Sequence, residues 1–308
     1  MDIIRGIILV IFSTILWGGN YIAGRILAEA MPALFLNGIR WTTSAAELFL
    51  ILIITGRPLT PLKKWKEFSL LGVIGIFTFS ALTYLALKSV PASQAGMIAG
   101  MESISMLLLS AVILHKVPKP MQWVGVAFSV IGVFSLIETA ERQQYFSVRS
   151  GDIELLLAAL AWGLYCVLGD KFGNDTDSLT MTTGAIIYGA IPSALSGAYS
   201  GLTGTFHMTL TAWLAVVYVC TAASSLAYVV WNLGIGLVGV NGAAPFLNLM
   251  PIWTIILGIV LLGEKVTIYQ FISGAIILIG MWLAGDHQHK KSLRIDTGLK
   301  DTLNLRDF

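Results

Sequence analysis

The chain alternates long apolar runs with short polar breaks, and the runs have the length of a bilayer crossing. Stretches of about 17 to 25 mostly apolar residues, enough for a helix to cross hydrocarbon, occur ten times. In the first half they are Ile7–Leu27, Leu34–Ile54, Phe68–Leu87, Ala92–Leu114 and Met121–Ile137. In the second half they are Ile153–Phe172, Leu179–Tyr199, Leu210–Leu233, Gly242–Leu262 and Ile268–Ala284. Lipid offers no partner for backbone N–H and C=O groups, and these runs are far longer than a barrel strand. Each therefore predicts a transmembrane helix, and the chain is expected to be an all-α integral membrane protein.

The pattern is written twice. Leu16-Trp17-Gly18-Gly19-Asn20-Tyr21, ending at Gly24-Arg25, recurs 145 residues later as Ala161-Trp162-Gly163-Leu164-Tyr165, ending at Gly169-Asp170. Near the ends of the halves, Val117 with Gly125 falls on Val266 with Gly274 at an offset of 149. Five spans per copy is an odd number, so the second copy enters the membrane upside down, and tandem inverted copies are the mark of a transporter. The expected organisation is a first repeat at 1–138, an outward-facing linker at 139–150, a second repeat at 151–285 and a tail at 286–308.

Composition agrees with this reading. Hydrophobic residues make up 56% of the chain and charged residues 12%, about half the usual soluble share, and the mean hydropathy is +0.81. Lys and Arg are unevenly placed: 13 fall on the side that holds both termini and 5 on the other, with Arg40 inside a span. By the positive-inside rule both termini are expected in the cytoplasm, with the protein in a bacterial cell (inner) membrane. Arg5, the first apolar run and Ala28-Glu29-Ala30 together resemble a cleavable leader. The run is too long for one, and its copy at Trp162 lies mid-chain.

Cys166 and Cys220 fall inside spans, and His115, His207, His287 and His289 lie at span ends or in loops. Neither set has metal-ligand spacing, and no nucleotide-binding loop or nucleophile elbow is present. No cofactor, no metal and no catalytic residue is expected. The basic tail reads as a topology determinant rather than a nucleic-acid site.

Trp17-Gly18-Gly19-Asn20-Tyr21 with Gly24, Pro32-Ala33 and Gly38-Ile39-Arg40 resembles the opening of an EamA-type repeat of the drug/metabolite transporter superfamily. Asn248-Leu249-Met250-Pro251-Ile252-Trp253, Leu262-Gly263-Glu264-Lys265 and Gln270 to Gly274 are similar to the end of such a repeat. The resemblance covers about Ile7 to Gly285. It implies ten helices in an inverted five-plus-five arrangement, a central cavity lined by the third, fourth, eighth and ninth spans, and metabolite export or exchange without ATP. The halves depart from each other at two positions. At the offset of 149, Pro251 falls on Glu102 and Glu264 on His115.

Ionisable groups deep in a membrane are functional candidates by default. Glu102, near the middle of the fourth span, has two readings: a protonated carboxyl tying neighbouring helices, or a group lining a watered cavity. Arg40 and Glu47 share one face of the second span about 10 Å apart, too far for pairing. Glu102, Arg40 and Glu47 are the coupling or charge-selection candidates. Substrate-contact candidates are Thr83, Tyr84, Glu102, Ser224, Tyr228, Trp231, Asn232 and Asn248. Tyr84 and Trp231 correspond at an offset of 147, which predicts aromatic faces on opposite walls. Arg25 and Lys88 read as snorkelling anchors. Trp65, Trp123 and Trp282 read as belt or packing residues.

Two function classes follow. One is a secondary transporter that exports or exchanges amino acids or related amphipathic molecules by alternating access. The other is a non-transporting intramembrane enzyme or assembly subunit on the same fold. The expected partners are a small-molecule substrate and the lipid bilayer, with no nucleic acid, in a monomer or homodimer.

Overall fold

A computed structural model describes residues 2–56, 64–115, 119–141, 149–172, 178–238, 246 and 249–284. The described residues form ten helices and no strand. The first five are α1 (Asp2–Ala30), α2 (Ala33–Ile54), α3 (Trp65–Ala86), α4 (Ala92–Ile113) and α5 (Pro120–Glu141). The second five are α6 (Ser150–Phe172), α7 (Ser178–Thr203), α8 (210–238), α9 (Met250–Leu262) and α10 (Ile268–Ala284). Each of the ten apolar runs thus carries a helix; the first seven residues of the ninth run include 242–245 and 247–248, outside the described residues.

Length and apolarity alone mark α1, α3, α4, α6 and α8 as membrane-crossing, with α5, α9 and α10 as shorter apolar helices. The long helices α2 and α7 fall short because their middles carry polar groups, and they pack on each other. Between them Asn37 Nδ2 reaches Ser193 Oγ at 3.4 Å. Apolar side chains cover the outside instead: Leu202, Leu210 and Ile54 are among the most exposed, and Trp65, Trp123 and Trp282 are exposed as well. This is the distribution expected where the solvent is lipid.

The main packing runs between the two halves. α1 packs on α8 and α9, and α6 packs on α3 and α4; α2 packs on α8, and α7 on α3. The pairs α2–α7, α4–α9 and α5–α10 map onto themselves when the halves are exchanged. A two-fold relation between inverted repeats produces this pattern, so the protein is an all-α membrane protein of two inverted five-helix repeats.

The repeated Trp-Gly pair has a packing cause. A Cβ added at Gly18 would lie 2.7 Å from Trp253 Cβ on α9, and one added at Gly163 would lie 2.8 Å from Ser105 Cβ on α4. Only glycine lets α1 and α6 come this close to their partners, the small-residue contact that drives helix association in lipid. Thr254 Oγ1, donating to Met250 O at 3.0 Å, sits in the same contact, 3.5 Å from Gly18 O.

The Gly-Glu ending of the second repeat is also explained. Gly263 turns the chain out of α9 with φ 64, in the left-handed region open to glycine. The turn aims Glu264 at the start of α4, where Oε1 accepts from Ala92 N at 2.8 Å and Oε2 from Ser93 N at 2.9 Å. Two unsatisfied amides at a helix N-terminus are thereby met by a carboxylate, which the helix dipole favours. Nearby, Arg25 Nη1 donates to Leu87 O at 2.7 Å and Lys88 O at 3.1 Å, so Arg25 caps the end of α3 as well as pairing with Glu29 at 3.5 Å. Gln94 Nε2 donates to Asp152 Oδ1 at 2.9 Å on α6. The α3–α4 corner is therefore held from α1, α6 and the α9–α10 turn, all at the end of the bundle opposite the N-terminus. In the first repeat the corresponding turn is made at His115, with φ 54.

Two predictions follow from this packing. Gly18→Val and Gly163→Val should each cost about 1–3 kcal/mol through overpacking, seen as a lower midpoint of thermal unfolding followed by tryptophan fluorescence in detergent. Gly169→Ala, whose added carbon would meet only Met181 Cε at 3.7 Å, should leave the midpoint unchanged. Glu264→Ala should cost about 1 kcal/mol for the lost cap, with Glu264→Gln recovering only part of the loss because the charge is gone.

Candidate functional site

Arg40 lies in the first half of α2 and is 4% exposed. Its guanidinium meets hydroxyl oxygens from two other helices. Nε donates to Ser224 Oγ at 2.7 Å, and Nη1 donates to Tyr84 Oη at 2.7 Å and Ser80 Oγ at 3.4 Å. The group also lies 4.3 Å from the centre of the Trp41 ring, a cation–π distance.

The acceptors are themselves oriented. Ser224 donates its hydroxyl hydrogen to Val219 O at 2.8 Å, leaving lone pairs for Arg40. Tyr84 donates to Asn20 Oδ1 at 2.8 Å on α1, and Trp41 Nε1 donates to Ser80 Oγ at 3.0 Å. Every partner is neutral. Among the described residues Arg40 has no ion pair, with Glu102 or with Glu47, so its charge is solvated by dipoles and uncompensated by a carboxylate. Arginine does not escape this by losing its proton.

Local backbone geometry brings these hydroxyls inward. α3 widens to π-helical turns over Gly72–Thr78, and α8 does the same over Tyr218–Leu226. The two stretches occupy matching places in the repeats. Wide turns of this kind shift side-chain register and free carbonyls, and they gather at functional sites. In α8 the freed geometry lets Ser224 bond five residues back, and Cys220 O accepts from Ser44 Oγ at 3.2 Å on α2.

Glu102 belongs to α4 and lies near Tyr21 of α1. Glu102, with Tyr165 and Cys166 of α6, is partly accessible. Tyr21 lies within electrostatic range of both Glu102 and Arg40, and so does Tyr228 of α8. Aromatic rings complete the surroundings: Trp17 stands 5.5 Å from Tyr228 and 5.2 Å from Trp231, and Trp162 stands 5.3 Å from Tyr165.

The residues singled out from sequence are distributed as follows. Arg40, Tyr84 and Ser224 are in direct contact, and Tyr228 and Glu102 lie around the same centre. Tyr84 is 1% exposed and packs under Arg40, whereas Trp231 is partly accessible and packs on Trp17. No ring contact joins Tyr84 to Trp231 among the described residues. Thr83 spends its hydroxyl on Phe79 O at 2.8 Å within α3. Glu47 is half-buried further along α2. The side chain of Asn232, and Asn248 entirely, lie outside the described residues. Sequence reasoning missed Asn20, Tyr21, Trp41, Ser80 and Cys166 as members of the centre. Asn20 and Tyr21 were within the repeated motif, and polar positions inside an apolar run were the available signal.

At the end opposite the N-terminus a recess of about 600 Å³ is lined by residues that include Arg25, Glu29, Pro91, His207, Leu262 and Glu264. Between it and Arg40, Tyr84 and Leu87 pack against Gly24 of α1.

Comparison with known proteins bears on this arrangement. Residues 4–137 and 149–285 each match the EamA-like transporter family. The chain is 28% identical to YyaM, an uncharacterized transporter of Bacillus subtilis, over 80% of this chain and 82% of that one. It is 25% identical to a probable amino-acid metabolite efflux pump of Salmonella typhimurium, over 89% of this chain and 93% of that one. A pump with the same description in Escherichia coli is 22% identical, over 90% and 93% of the two chains. A protein of known crystal structure shares the fold with a TM-score of 0.64 at 20% identity, over 91% of this chain and 96% of that one. With both halves matched, the chain belongs to the EamA-like transporter family.

Proposed function

We propose that the protein is a secondary transporter that exports or exchanges small metabolites, amino acids or related amphipathic molecules, by alternating access across the cytoplasmic membrane. The observation that carries this reading is the packing of two inverted halves against each other, helix for equivalent helix, around a polar centre. Two halves related in this way can rock about the centre and open it to either side in turn. The description of the Salmonella and Escherichia relatives as amino-acid metabolite efflux pumps supports the substrate class. The surplus of Lys and Arg on the side of the termini supports a cytoplasmic placement for both.

The contacts of the α3–α4 corner fit a closing set for the far end. Opening there requires Arg25 to leave Leu87 and Lys88, and Tyr84 and Leu87 to part from Gly24. Tyr84, Thr83, Ser224, Tyr228, Trp231, Asn232 and Asn248 are the proposed contributors to the substrate path. Glu102 is the proposed coupling group, because a carboxyl exposed to opposite sides in turn can take up and release a proton. Among the described residues, titratable groups near it include Tyr21 on α1, Cys166 on α6 and Tyr228 on α8, side chains ordinarily uncharged near neutral pH.

Transport is tested with the purified protein in proteoliposomes, where radiolabelled amino acids should accumulate or exchange faster than in protein-free vesicles. An imposed proton gradient should accelerate net movement. Glu102→Gln keeps the shape and removes the charge, so it should retain counterflow exchange and lose the acceleration. A Gln variant with the full pH profile and rate would assign Glu102 to a structural hydrogen bond.

Orientation is tested by single cysteines at Gln143 and Ser292, both outside the described residues, in a Cys-less background. An impermeant reagent should reach Gln143 from outside the cell only and Ser292 only after the membrane is opened. Labelling of both from one side would reject the ten-helix topology.

A further inference from the structure

The helices do not pack repeat by repeat. α1 of the first repeat is bonded to α8 and α9 of the second: Ser13 Oγ donates to Ala227 O at 3.1 Å, Tyr218 Oη to Leu16 O at 2.8 Å and Trp253 Nε1 to Thr14 Oγ1 at 3.1 Å. α6 is joined in the same way to α3 and α4. The Trp162 and Phe79 rings stand 5.0 Å apart, Gly75 makes room for the Tyr165 ring, and Gln94 Nε2 reaches Asp152 Oδ1 at 2.9 Å. Glycine contacts close both sets, Gly18 on α9 and Gly163 on α4. Lipid offers no replacement for such hydrogen bonds or for packing this close, so each set of three helices holds together as one body.

The contacts between the two bodies gather toward the end opposite the N-terminus. α1 meets α3 through Phe79–Ala86 and α4 through Ala92–Ala99, the stretches that flank the α3–α4 corner. There Tyr84 Oη donates to Asn20 Oδ1 at 2.8 Å, Leu87 lies on Gly24, and Arg25 and Glu264 cap α3 and α4. Ala92–Ala99 also packs on α9, where a Cβ added at Gly96 would lie 2.5 Å from Thr254 Cβ. The rest of α4, Met101–Ile113, packs chiefly on α6, within its own body. A seam whose contacts gather at one end is what two rocking bodies leave in one of their end states. Arg40 of α2 bonds both bodies, through Tyr84 and Ser80 of α3 and through Ser224 of α8, so it sits where they meet.

We propose that the moving parts are α1–α8–α9 and α3–α4–α6, each mixing helices of both repeats. They part where Asn20 and Gly24 meet Tyr84 and Leu87, and where Gly96 meets Thr254. The inference rests on the transporter reading and names what moves in it. The sequence repeats themselves do not separate as units, because each is divided between the two bodies.

Cysteine pairs in the full-length, Cys-less protein test this in proteoliposomes, each pair compared with itself before oxidation, after it and after reduction. Gly18→Cys with Trp253→Cys ties α1 to α9, and Ser105→Cys with Gly163→Cys ties α4 to α6, both within a body. Gly96→Cys with Thr254→Cys and Gly24→Cys with Leu87→Cys cross the seam. The first two disulfides should leave uptake of radiolabelled amino acids at its rate before oxidation. The last two should each abolish it until a reductant opens them.

Spin-label distances in nanodiscs need no substrate. Glu29, Lys88, Ser150 and Thr209 are exposed at the far end. Labels there read Glu29–Thr209 and Lys88–Ser150 within the bodies and Glu29–Lys88 across the seam. Asn20→Ala and Glu264→Ala, which each remove a bond across the seam, should add a longer Glu29–Lys88 population and leave the other two distances unchanged.

A within-body disulfide that stops uptake, or a seam disulfide that does not, overturns the proposal. So does a change in either within-body distance, or a Glu29–Lys88 distance that neither variant moves. The two readings fail separately. The stated Glu29–Lys88 shift with no uptake of any probe keeps the moving bodies and refutes transport; uptake that continues with the seam disulfides formed does the reverse.

Discussion

The guanidinium of Arg40, buried without a carboxylate partner among the described residues, is the interaction on which the centre of this protein depends. Its hydrogen bonds reach α3 and α8, and through Tyr84 the set extends to α1. Removing a cation from water costs several kcal/mol or more unless dipoles replace the hydration shell. Here the replacement comes from serine and tyrosine hydroxyls whose hydrogens are already committed elsewhere, so their lone pairs point at the charge. A group solvated in this way constrains every helix that contributes to it. The wide turns of α3 and α8 belong to the same arrangement, because they lie beside or carry the serines that complete it.

Around that centre the two-fold relation sets the packing, and the exceptions to it carry information. Gly18 against α9 and Gly163 against α4 are equivalent contacts, and the wide turns of α3 and α8 are equivalent distortions. The buried charged residues are not duplicated. Arg40 and Glu102 both come from the first repeat, while the second repeat supplies Ser224, Tyr228, Cys166 and Trp231. Glu102 stands where the second repeat has Pro251, and His115 stands where it has Glu264. A symmetric scaffold thus holds an asymmetric set of charges.

The fold was legible in the sequence because its cause acts locally. A run long enough to cross hydrocarbon must satisfy its own backbone, so each of the ten apolar runs announced a helix. The repeated Trp-Gly motif and the odd number of spans per copy announced the inversion. Arg40 and Glu102 were also legible as exceptions, since a charge in such a run is costly and needs a reason. Expectations about partners were less secure. Arg40 found its partners among hydroxyls of other helices, and Arg25 capped α3 rather than only anchoring at the interface.

The sequence by itself determined the class, the number of helices, their inverted order and the residues whose burial demands explanation, since each follows from composition and period along one segment. Only the tertiary structure decided which side chains meet. The hydrogen bond from Arg40 to Ser224 joins residues 184 positions apart, and the cap from Glu264 to Ala92 joins residues 172 apart. Contacts of that kind depend on the rotation of each helix about its axis and on how closely glycines let pairs approach. Those quantities are set by all neighbouring helices at once, and a single apolar run carries no record of them.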